Sequence, residues 1–385
     1  MPPPASDIEL SYRFAAAGRR PRALSHPLVT LLRAVRDGGS IKAAAQALGV
    51  SYRHAWGALR AGEAEFGCSL LRWVQGEGSV LTPRGLALVE AEDLALSRLA
   101  PQIEALRAEL ARAFDTALGA GHAALTLFAS HDVATSALRE LAPAHGLHLD
   151  LRFLGCVDSL RALAAGRCLV AGFHAPLAAP AGSDYAHQLK PLLQPGVHKL
   201  IGFARRAQGL IVRAGNPLGL AGVADLARPD VRFIGRQPGS GTRLLIDALL
   251  RGAGVEPRRA DGPEPVEESH LAVAAAVACG VGDAGIGIEA AAAAFGLGFV
   301  PLAQERYAFV CLKPALDDPA VQALRALLAA PAWLARLRAT PGYAPDASGE
   351  VLRLTEALPW WADIVGARRR PARRMKPRSD VAPAL

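Results

Sequence analysis

Short apolar runs alternate with amphipathic helical stretches from about Ala124 to beyond residue 300. The runs ALTLFASHD, LHLDLRFLG and CLVAGFHAP have the composition of buried strands, and SLRALAAGR between the last two has a helical pattern. The alternation resumes in HKLIGFARRAQGLIVRAGNP, VRFIGRQPGSGTRLLIDALLRGAG and RYAFVCLK. Because parallel strands need helical crossovers, residues 122–350 are predicted to form an α/β domain with a mostly parallel sheet covered on both faces.

The region before this domain has a purely helical pattern that ends in a hairpin. HPLVTLLRAVRDGG places its apolar residues on one face, and SIKAAAQALG starts at the potential cap Ser40 and stops at Gly49. Ser51 can cap a third helix, and short β-prone runs around residues 76–78 then indicate a hairpin. Residues 26–88 are therefore predicted to be a winged helix-turn-helix domain.

The segment after the hairpin is long and mostly helical. Its apolar spacing suits packing against a second subunit, so residues 89–120 are assigned as a dimerisation and linker helix, with an interruption at Pro101. Residues 1–25 are rich in Pro, Ala and Arg and are expected to be flexible. Residues 367–385 form a basic tail that is expected to be disordered and to add only sequence-independent attraction to DNA.

Charge is distributed unevenly along the chain. The formal net charge is +8, and the stretch from Arg13 to Arg60 contains nine Lys and Arg against one acid, Asp37. A basic front end favours a polyanionic partner, although such runs are also common on solvated faces.

The cysteines and the apolar stretches indicate a cytoplasmic protein. The five cysteines are far apart, with neither a zinc spacing nor a disulfide framework. The N-terminal residues lack the apolar core of a signal peptide. Asp283 and Glu289 interrupt the apolar stretch from Leu271 to Val300, so this stretch is expected to be protein core, with no membrane association.

The third predicted helix carries the candidate DNA-reading residues. The second helix of a helix-turn-helix motif enters the major groove, and its first residues reach the base edges. Trp56 and Leu59 are expected to be core, whereas donor-rich side chains at the helix start suit phosphates and purine edges. The candidate DNA-binding residues are Ser40, Lys42, Ser51, Tyr52, Arg53, His54, Arg60 and Gln75.

This region is similar to a known family of regulators. GGSIKAAAQALGVSYRHAWGAL, followed by LL and GSVLTPRG, closely resembles the N-terminal winged helix of the molybdate-responsive ModE regulators, over residues 26–90. The resemblance implies that GVSYRHAW lies on the recognition helix, that residues 51–54 face DNA, and that the helix after Gly85 forms a dimer. The wing is shorter and less glycine-rich than in that family, and the family's β-barrel molybdate-binding modules do not follow.

Polar residues begin three predicted helices of the α/β domain, in GRQPGSGTRLLIDALL, FASHDVAT and EESHLAVAAAVACG. Backbone N–H groups and hydroxyls at a helix start can bind an anion, and ligands of open α/β sheets lie outside the carboxyl ends of the strands. These starts are therefore predicted to converge on one anion. The candidate ligand residues are Ser130, His131, Asp132, Cys156, His174, Gly239, Ser240, Gly241, Thr242, Arg243, Ser269 and His270.

Each of these residues also has a structural alternative. The glycines can form a plain tight turn, Asp132 can be only a helix cap, and Arg243 can be a surface residue. A lone histidine after a strand, such as His174, is often a satisfied core residue.

The stretch from Leu125 to Ser348 resembles a cytoplasmic periplasmic-binding-protein-like domain that occurs fused to such winged helices. ASHD, QGLIVRAGNP, RQPGSGTRLLIDALL and SHLAVAAAVACGVGDAGIGIEAAA carry the resemblance. It implies two α/β lobes joined by two crossing strands, near GLIVRAG and ERYAFVC. GRQPGSGT also resembles, more weakly, the anion loop of tungstate-binding transport proteins. Cys156, after the second strand, stands where the periplasmic-binding-protein-like domain is expected to have serine or glycine.

These resemblances imply a one-component transcriptional regulator that binds double-stranded operator DNA as a homodimer or a tetramer. Its effector is expected to be a small anion, with molybdate or tungstate as the leading candidate and a small organic anion or cofactor-pathway metabolite as the alternative. No other cofactor and no metal are expected. An enzyme acting on a phosphorylated or pterin substrate is the alternative of another class, but the sequence has no evident nucleophile–base pair, metal-ligand spacing or phosphate-loop lysine.

Overall fold

The computed structural model describes residues 26–74, 78–118, 123–179, 182–256 and 265–361. Gln75, the predicted flexible segment 1–25 and the predicted basic tail 367–385 lie outside the described residues.

Helices and strands follow the predicted order. The helices are α1 (Pro27–Gly38), α2 (Ile41–Leu48), α3 (Tyr52–Phe66), α4 (Pro83–Leu118), α5 (Val133–Leu141), α6 (Cys156–Ala164), α7 (Asp184–Leu189), α8 (Gly241–Gly252), α9 (His270–Ala278), α10 (Glu289–Ala294), α11 (Pro319–Ala329), α12 (Pro331–Arg338) and α13 (Leu354–Ala357). The strands are β1 (Leu71–Val74), β2 (Gly78–Leu81), β3 (Ala123–Ala129), β4 (Leu147–Phe153), β5 (Val170–Pro176), β6 (His198–Val212), β7 (Phe233–Arg236), β8 (Val266–Glu267), β9 (Ala284–Ile288), β10 (Gly298–Leu312), β11 (Tyr343–Pro345) and β12 (Val351–Leu352).

The chain divides into two compact units. Of the described residues, the first unit contains those of Met1–Arg107, Gly209–Pro238 and Arg258–Pro301. The second unit contains those of Ala108–Gln208, Gly239–Pro257 and Leu302–Leu385. Two of the boundaries between the units fall within long strands. The boundary between residues 208 and 209 lies in β6, and the boundary between residues 301 and 302 lies in β10. β6 and β10 are therefore the two crossing strands that were expected.

The first unit begins with the winged helix-turn-helix domain, which confirms the predicted fold. Ser40 accepts a hydrogen bond from the backbone N–H of Ala43, and Ser51 accepts one from that of His54, so both serines cap helices as expected. Leu32 and Leu59 are fully buried in the core of the domain. β1 and β2 pair antiparallel, with Leu71 opposite Leu81, and form the predicted wing.

The motif LTPRG joins the wing to α4 through specific contacts. Thr82 accepts a hydrogen bond from the N–H of Gly85 at 3.2 Å and donates its hydroxyl to the carbonyl of Ser69 at 2.8 Å. Pro83 occupies the first turn of α4, where its missing N–H costs nothing. The helix therefore starts within the segment predicted to be winged helix.

The predicted interruption of this helix at Pro101 is wrong, because α4 runs for 36 residues with Pro101 inside it. Proline removes one backbone hydrogen bond, but tertiary contacts hold the turns before it. Val89 is fully buried, and the Arg98 guanidinium forms an ion pair with Glu267 at 2.5 Å.

The first unit also contains one lobe of the α/β domain. β7 lies between β9 and β8 and is parallel to both, with Phe233 opposite Ala284 and Gly235 opposite Val266. All residues of α9 from 272 to 277 are fully buried, so this apolar stretch is protein core as predicted. Among the described helices, none has the length and apolar character needed to cross a membrane.

The second unit contains the other lobe. Its strands lie in the order β4-β3-β5-β10-β6, with β11 and β12 also pairing with β6. β3 is parallel to β4 and β5, whereas β10 is antiparallel to β5 and places Tyr307 opposite His174. β11 pairs antiparallel with β6 and places Tyr343 opposite Arg206. This lobe confirms the predicted two-lobed α/β architecture.

Gly85 provides a test of the junction between the wing and α4. A Cβ atom at this position would overlap the carbonyl oxygen of Leu70, a backbone atom that cannot rotate away. We expect Gly85→Ala to lower the free energy of unfolding by about 1–3 kcal/mol, as overpacking does. Thermal unfolding of the full chain measures this change, with Arg84→Ala at the exposed neighbouring position as control. Equal midpoints for the two variants would contradict the close contact.

Candidate DNA-binding surface and candidate ligand site

The start of α3 divides sharply into an exposed and a buried side. Ser51, Tyr52, Arg53 and His54 are all exposed, whereas Ala55 and Leu59 are buried. Because a helix turns once in 3.6 residues, the small and apolar residues face the domain and the polar start is left to solvent. The side chains of Arg53 and His54 form no hydrogen bond or ion pair with other described residues. These donors are therefore available to a partner.

The other candidate DNA-binding residues have different surroundings. Lys42 is exposed, whereas the half-buried Ser40 uses its hydroxyl to cap α2. Arg60 is exposed and forms an ion pair with Glu63 at 3.1 Å.

The assignment of Trp56 to the core is wrong. Its exposed fraction is 41 %, whereas Leu59, the other predicted core residue, is fully buried. Trp56 stacks on Tyr52 with ring centroids 6.4 Å apart, and the guanidinium carbon of Arg60 lies 4.6 Å from the centre of the Trp56 ring. Residues 52, 56 and 60 are spaced by four, so they form a row along the exposed side of α3.

In the second unit, three of the candidate ligand residues belong to a buried polar cluster that we define as Asp132, His174, Arg206, Gln208, Thr242 and Glu305. The Arg206 guanidinium is fully buried and forms ion pairs with Asp132 and, at 3.0 Å, with Glu305. Tyr343 donates its hydroxyl to the same Asp132 oxygen as Arg206. The other oxygen of Asp132 accepts the N–H of Ala134 and caps α5.

Glu305 links the remaining members of the cluster. One of its oxygens lies 3.2 Å from Nδ1 of His174, and the other accepts the amide of Gln208 at 3.0 Å. The same amide nitrogen of Gln208 lies 3.3 Å from the hydroxyl oxygen of Thr242 at the start of α8. Three candidate ligand residues, Asp132, His174 and Thr242, are thus brought together by three residues that were not anticipated.

The charges of the cluster shift the pKa of its members in opposite directions. Burial by itself would raise the pKa of Glu305, but attraction to His174 and Arg206 and the hydrogen bonds it accepts lower the pKa from 4.5 to about 2. Burial disfavours the charged form of Arg206, yet Glu305 and Asp132 hold its pKa well above the ordinary value. Burial and the neighbouring Asp132 raise the pKa of Tyr343. At neutral pH Glu305 is therefore ionised and Tyr343 is a neutral donor.

The turn before α8 has the expected conformation. Gly239 has a φ of +79°, and Ser240 accepts the N–H of Arg243 as the helix cap. A Cβ atom on Gly241 would overlap the ring of His174, so only glycine fits there. Arg243 lies 3.0 Å from both carboxylate oxygens of Asp247 on the same helix, which favours a structural role for this side chain.

The remaining candidates of the second unit are Ser130, His131 and Cys156. The carbonyl of Ser130 accepts the hydroxyl of Tyr307 at 3.3 Å, and the ring of His131 lies edge-on to Phe153 at 4.9 Å. Cys156 is buried with its sulfur 3.8 Å from the carbonyl oxygen of His174, and burial raises the pKa of its thiol to about 12. This cysteine is therefore a neutral thiol.

Ser269 and His270 belong to the first unit. The Ser269 hydroxyl accepts the N–H of Ala272 as the cap of α9 and donates to the carbonyl of Ser97 on α4 at 3.3 Å. Nδ1 of His270 lies 3.0 Å from one guanidinium nitrogen of Arg236. The other two nitrogens of this guanidinium donate to the backbone carbonyls of Glu267 and Glu268. Both polar side chains thus have protein partners. Among the described residues, no group of three or more His, Cys, Asp and Glu is arranged to hold a metal ion.

The sequence contains a signal for the members of the cluster that were missed. Arg206 and Gln208 are two positions apart in one predicted strand, and Glu305 precedes Tyr307 by two in another. Side chains at alternate positions point to the same face of a sheet. Polar residues repeated in this way within two apolar strands indicate a buried polar cluster once the strands are known to be neighbours.

An N-terminal helix-turn-helix with a polar, exposed start of α3, followed by a two-lobed α/β domain, defines a class of DNA-binding proteins with an attached sensor domain. Residues 28–86 match the family model of bacterial regulatory helix-turn-helix proteins of the lysR family. Residues 138–329 match the model of a PBP superfamily domain. The chain belongs to the proteins that join a LysR-type helix-turn-helix domain to a PBP-like domain. The match agrees with the expectation of a DNA-binding regulator and not an enzyme.

Two curated relatives are themselves uncharacterised. The uncharacterized protein YvgK of Bacillus subtilis is 33 % identical over 201 residues, which are 52 % of this chain and 64 % of the relative. The chain thus spans less than two thirds of that protein's length. An uncharacterized protein from the 5′ region of the 2Fe-2S ferredoxin gene of Clostridium pasteurianum is 31 % identical over 110 residues, which are 28 % of this chain and 97 % of the relative.

Solved structures, among them those of CbnR, a LysR family transcriptional regulator, have a distant likeness to this chain. Full-length CbnR complexed with its target DNA is 20 % identical, with coverage of 78 % of this chain and 98 % of that chain and a TM-score of 0.36. A variant of OxyR from Corynebacterium glutamicum is 17 % identical, with coverage of 75 % and 86 % and a TM-score of 0.38. At these TM-scores the likeness adds nothing to the family matches.

The low pKa of Glu305 predicts a specific pH dependence of stability. A carboxyl whose pKa is lowered on folding stabilises the protein above its ordinary pKa of 4.5, and this contribution is lost as the pH falls towards about 2. The lowering corresponds to about 3 kcal/mol. We expect Glu305→Gln to lower the free energy of unfolding strongly at pH 7, where the substitution also removes a charge partner of Arg206. Below pH 4.5 the difference in free energy of unfolding between the parent and the variant should become smaller.

Urea unfolding of the full chain at several pH values, followed by far-UV circular dichroism, measures this effect. Glu140→Gln is the matched control, because Glu140 forms an exposed ion pair with Arg336 in the same unit. A deficit of Glu305→Gln that stays constant between pH 7 and pH 2 would rule out the predicted linkage.

Proposed function

We propose that this protein is a transcriptional regulator that reads operator DNA with the start of α3. The observation that carries the proposal is the exposure of four successive polar residues, Ser51 to His54, on a helix whose opposite side is buried. The match to the lysR family of regulatory helix-turn-helix proteins and the basic character of the front end support it. Such a protein acts in the cytoplasm, where bacterial DNA lies.

The oligomer that binds DNA is proposed to be a homodimer, or a tetramer built from dimers, with α4 as the dimerisation helix. The resemblance of residues 26–90 to ModE regulators supports this role of the helix after Gly85. The exposed apolar side chains of Leu86, Leu99 and Leu106 on α4 also support it, because a partner helix would bury them.

The PBP-like domain is proposed to sense a small anion at the first turn of α8. Support comes from Ser240 and Thr242, which are buried hydroxyl-bearing residues at a helix start, where N–H groups and the helix dipole favour negative charge. The resemblance to ModE regulators makes molybdate or tungstate the leading ligand. Ligand binding alters operator affinity only if the ligand prefers one arrangement of the DNA-binding domains over another.

A small organic anion is the second candidate effector, and the composition of the polar cluster favours it. The cluster contains two carboxylates, Asp132 and Glu305, but one guanidinium, that of Arg206. Glu305 and Thr242 approach the same amide nitrogen of Gln208, so a carboxylate lies close to the proposed anion position. A fully ionised oxyanion would be repelled by this carboxylate, whereas an organic anion with a hydroxyl or amino group could donate to it.

The DNA-binding role predicts a loss of affinity in Arg53→Ala and His54→Ala. Each variant should keep the fold, because neither side chain has a partner among the described residues. Loss of a base contact should cost about 1–3 kcal/mol and relax sequence preference at one position, whereas loss of a phosphate contact should weaken all sequences alike. Gel-shift titration with a duplex selected by the full chain measures both effects. Unchanged affinity in both variants would remove the start of α3 from the recognition surface.

The sensor role predicts that Ser240→Ala combined with Thr242→Ala weakens effector binding at least tenfold, because hydrogen bonds to charged groups contribute about 1.5–3 kcal/mol each. Calorimetry of the full chain with sodium molybdate, sodium tungstate and a panel of small organic acids measures binding. Ser183→Ala is the matched control, since Ser183 caps α7 in the same unit. If an organic acid binds and neither oxyanion does, the leading ligand is wrong; if the double variant binds as tightly as the parent, the site is wrong.

A further inference from the structure

Gly57 is a glycine in the interior of α3 that no contact within the described protein requires. It is exposed, its φ is not in the left-handed region, and a Cβ atom added to it would meet no described atom within 4 Å. Glycine is the least favourable residue in a helix interior after proline. By contrast, Gly62 on the buried side of the same helix packs against Leu28. The conformation and packing of α3 therefore leave Gly57 unexplained.

Two cations flank Gly57 on the exposed side of the helix. Arg53 precedes it by four residues and Arg60 follows it by three, and residues at these spacings are neighbours on a helix surface. The buried side of the same turns contains Ala55, Leu59 and Gly62. Gly57 is thus a gap between two arginines, on the side of α3 that faces away from the domain core.

The arginine that follows the gap is held in place by its neighbours. The ring of Trp56 lies under the Arg60 guanidinium, and Glu63 forms an ion pair with it. The other carboxylate oxygen of Glu63 accepts the backbone N–H groups of Leu70 and Leu71 at the start of the wing. Trp56 and Glu63 therefore orient the Arg60 side chain in the absence of a partner. Trp56 acts through a cation–π contact, which does not require its ring to be buried.

We propose that Gly57 is the point at which operator DNA approaches the backbone of α3 most closely, and that Trp56 is a positioning residue that orients Arg60 beside that point. The inference rests on the proposed DNA-binding function and extends the reading surface by two turns beyond residues 51–54. A helix in the major groove can come closer to the DNA where it has no side chain, and cations on both sides of the gap are complementary to phosphates.

A second copy of the chain is a poorer occupant of this surface than DNA. In a two-fold symmetric contact the same patch meets itself, so Arg53 and Arg60 would face the like charges of the other copy. Residues 52, 53, 56, 57, 60, 61 and 64 along this side of α3 include no acid. The surface complements a polyanion.

The experiment begins with the full chain selecting its preferred sequence from a pool of random DNA duplexes. Affinity for the enriched duplex and for a shuffled duplex is then measured by fluorescence anisotropy. We expect Gly57→Ala to weaken binding to the enriched duplex about tenfold and Gly57→Leu to weaken it further, because each added carbon holds the DNA away from the helix. The thermal midpoint of Gly57→Ala should be unchanged or raised, since alanine favours the helix. Gly252→Ala is the matched control, as Gly252 is an exposed helical glycine whose added Cβ also meets nothing.

The positioning role of Trp56 has its own readout. Trp56→Ala should weaken binding to the enriched duplex and lower the ratio of the affinities for the enriched and the shuffled duplex. Trp56→Tyr should keep most of the affinity and most of this ratio, because tyrosine also stacks with a guanidinium. Phe66→Ala, at the other end of the same helix, is the control for loss of an exposed aromatic ring.

The outcomes separate the inference from the function on which it rests. Failure of the full chain to enrich any sequence would overturn the proposed DNA-binding function itself. Enrichment followed by unchanged affinity in Gly57→Ala and Gly57→Leu would overturn the close approach at Gly57 and leave the DNA-binding function standing. Equal effects of Trp56→Ala and Trp56→Tyr would overturn the positioning of Arg60. A change of oligomeric state in Gly57→Leu with unchanged DNA affinity would assign the surface to a second copy.

Discussion

The second unit depends on one guanidinium that has no access to solvent. An unpaired buried charge costs several kcal/mol, a large part of the net stability of a domain. Arg206 is therefore tolerated only because Asp132 at the start of α5 and Glu305 on β10 both reach it. Tyr343 on β11 donates to Asp132 as well. Four separate elements, α5, β6, β10 and β11, thus meet at a single buried charge.

The same cluster explains why several candidate ligand residues have structural partners. Asp132 was expected either to bind an anion or to cap a helix, and its carboxylate is itself the negative group at the start of α5. His174 is held between Glu305 and the first turn of α8, where its ring requires glycine at position 241. Thr242 reaches Glu305 through Gln208. A ligand at α8 would therefore touch a network that already orients the sheet, which is a physical route by which binding could alter the lobe.

In the first unit, one helix both supports the core and carries the proposed recognition surface. α3 buries Ala55, Leu59 and Gly62 and leaves its polar and aromatic residues exposed. The long helix α4 is joined to the same unit's sensor lobe at the start of α9, where the Ser269 hydroxyl bonds the carbonyl of Ser97 and Glu267 pairs with Arg98. The hydroxyl of Ser269, one of the candidate ligand residues, thus helps to fix the helix that follows the wing.

The sequence by itself determined the order of helices and strands and the caps Ser40 and Ser51, because these depend on local periodicity and on short-range capping chemistry. The two-lobed architecture was implied by the resemblance to a periplasmic-binding-protein-like domain, and no local pattern specifies it. The tertiary structure alone decided which polar residues meet. Arg206 and Glu305 are 99 positions apart and become partners only because β6 and β10 pair, and no local pattern specifies that pairing. It also decided that Trp56 is exposed and that α4 continues through Pro101, since neighbouring elements determine how much of a helix surface is covered and whether a helix tolerates a proline.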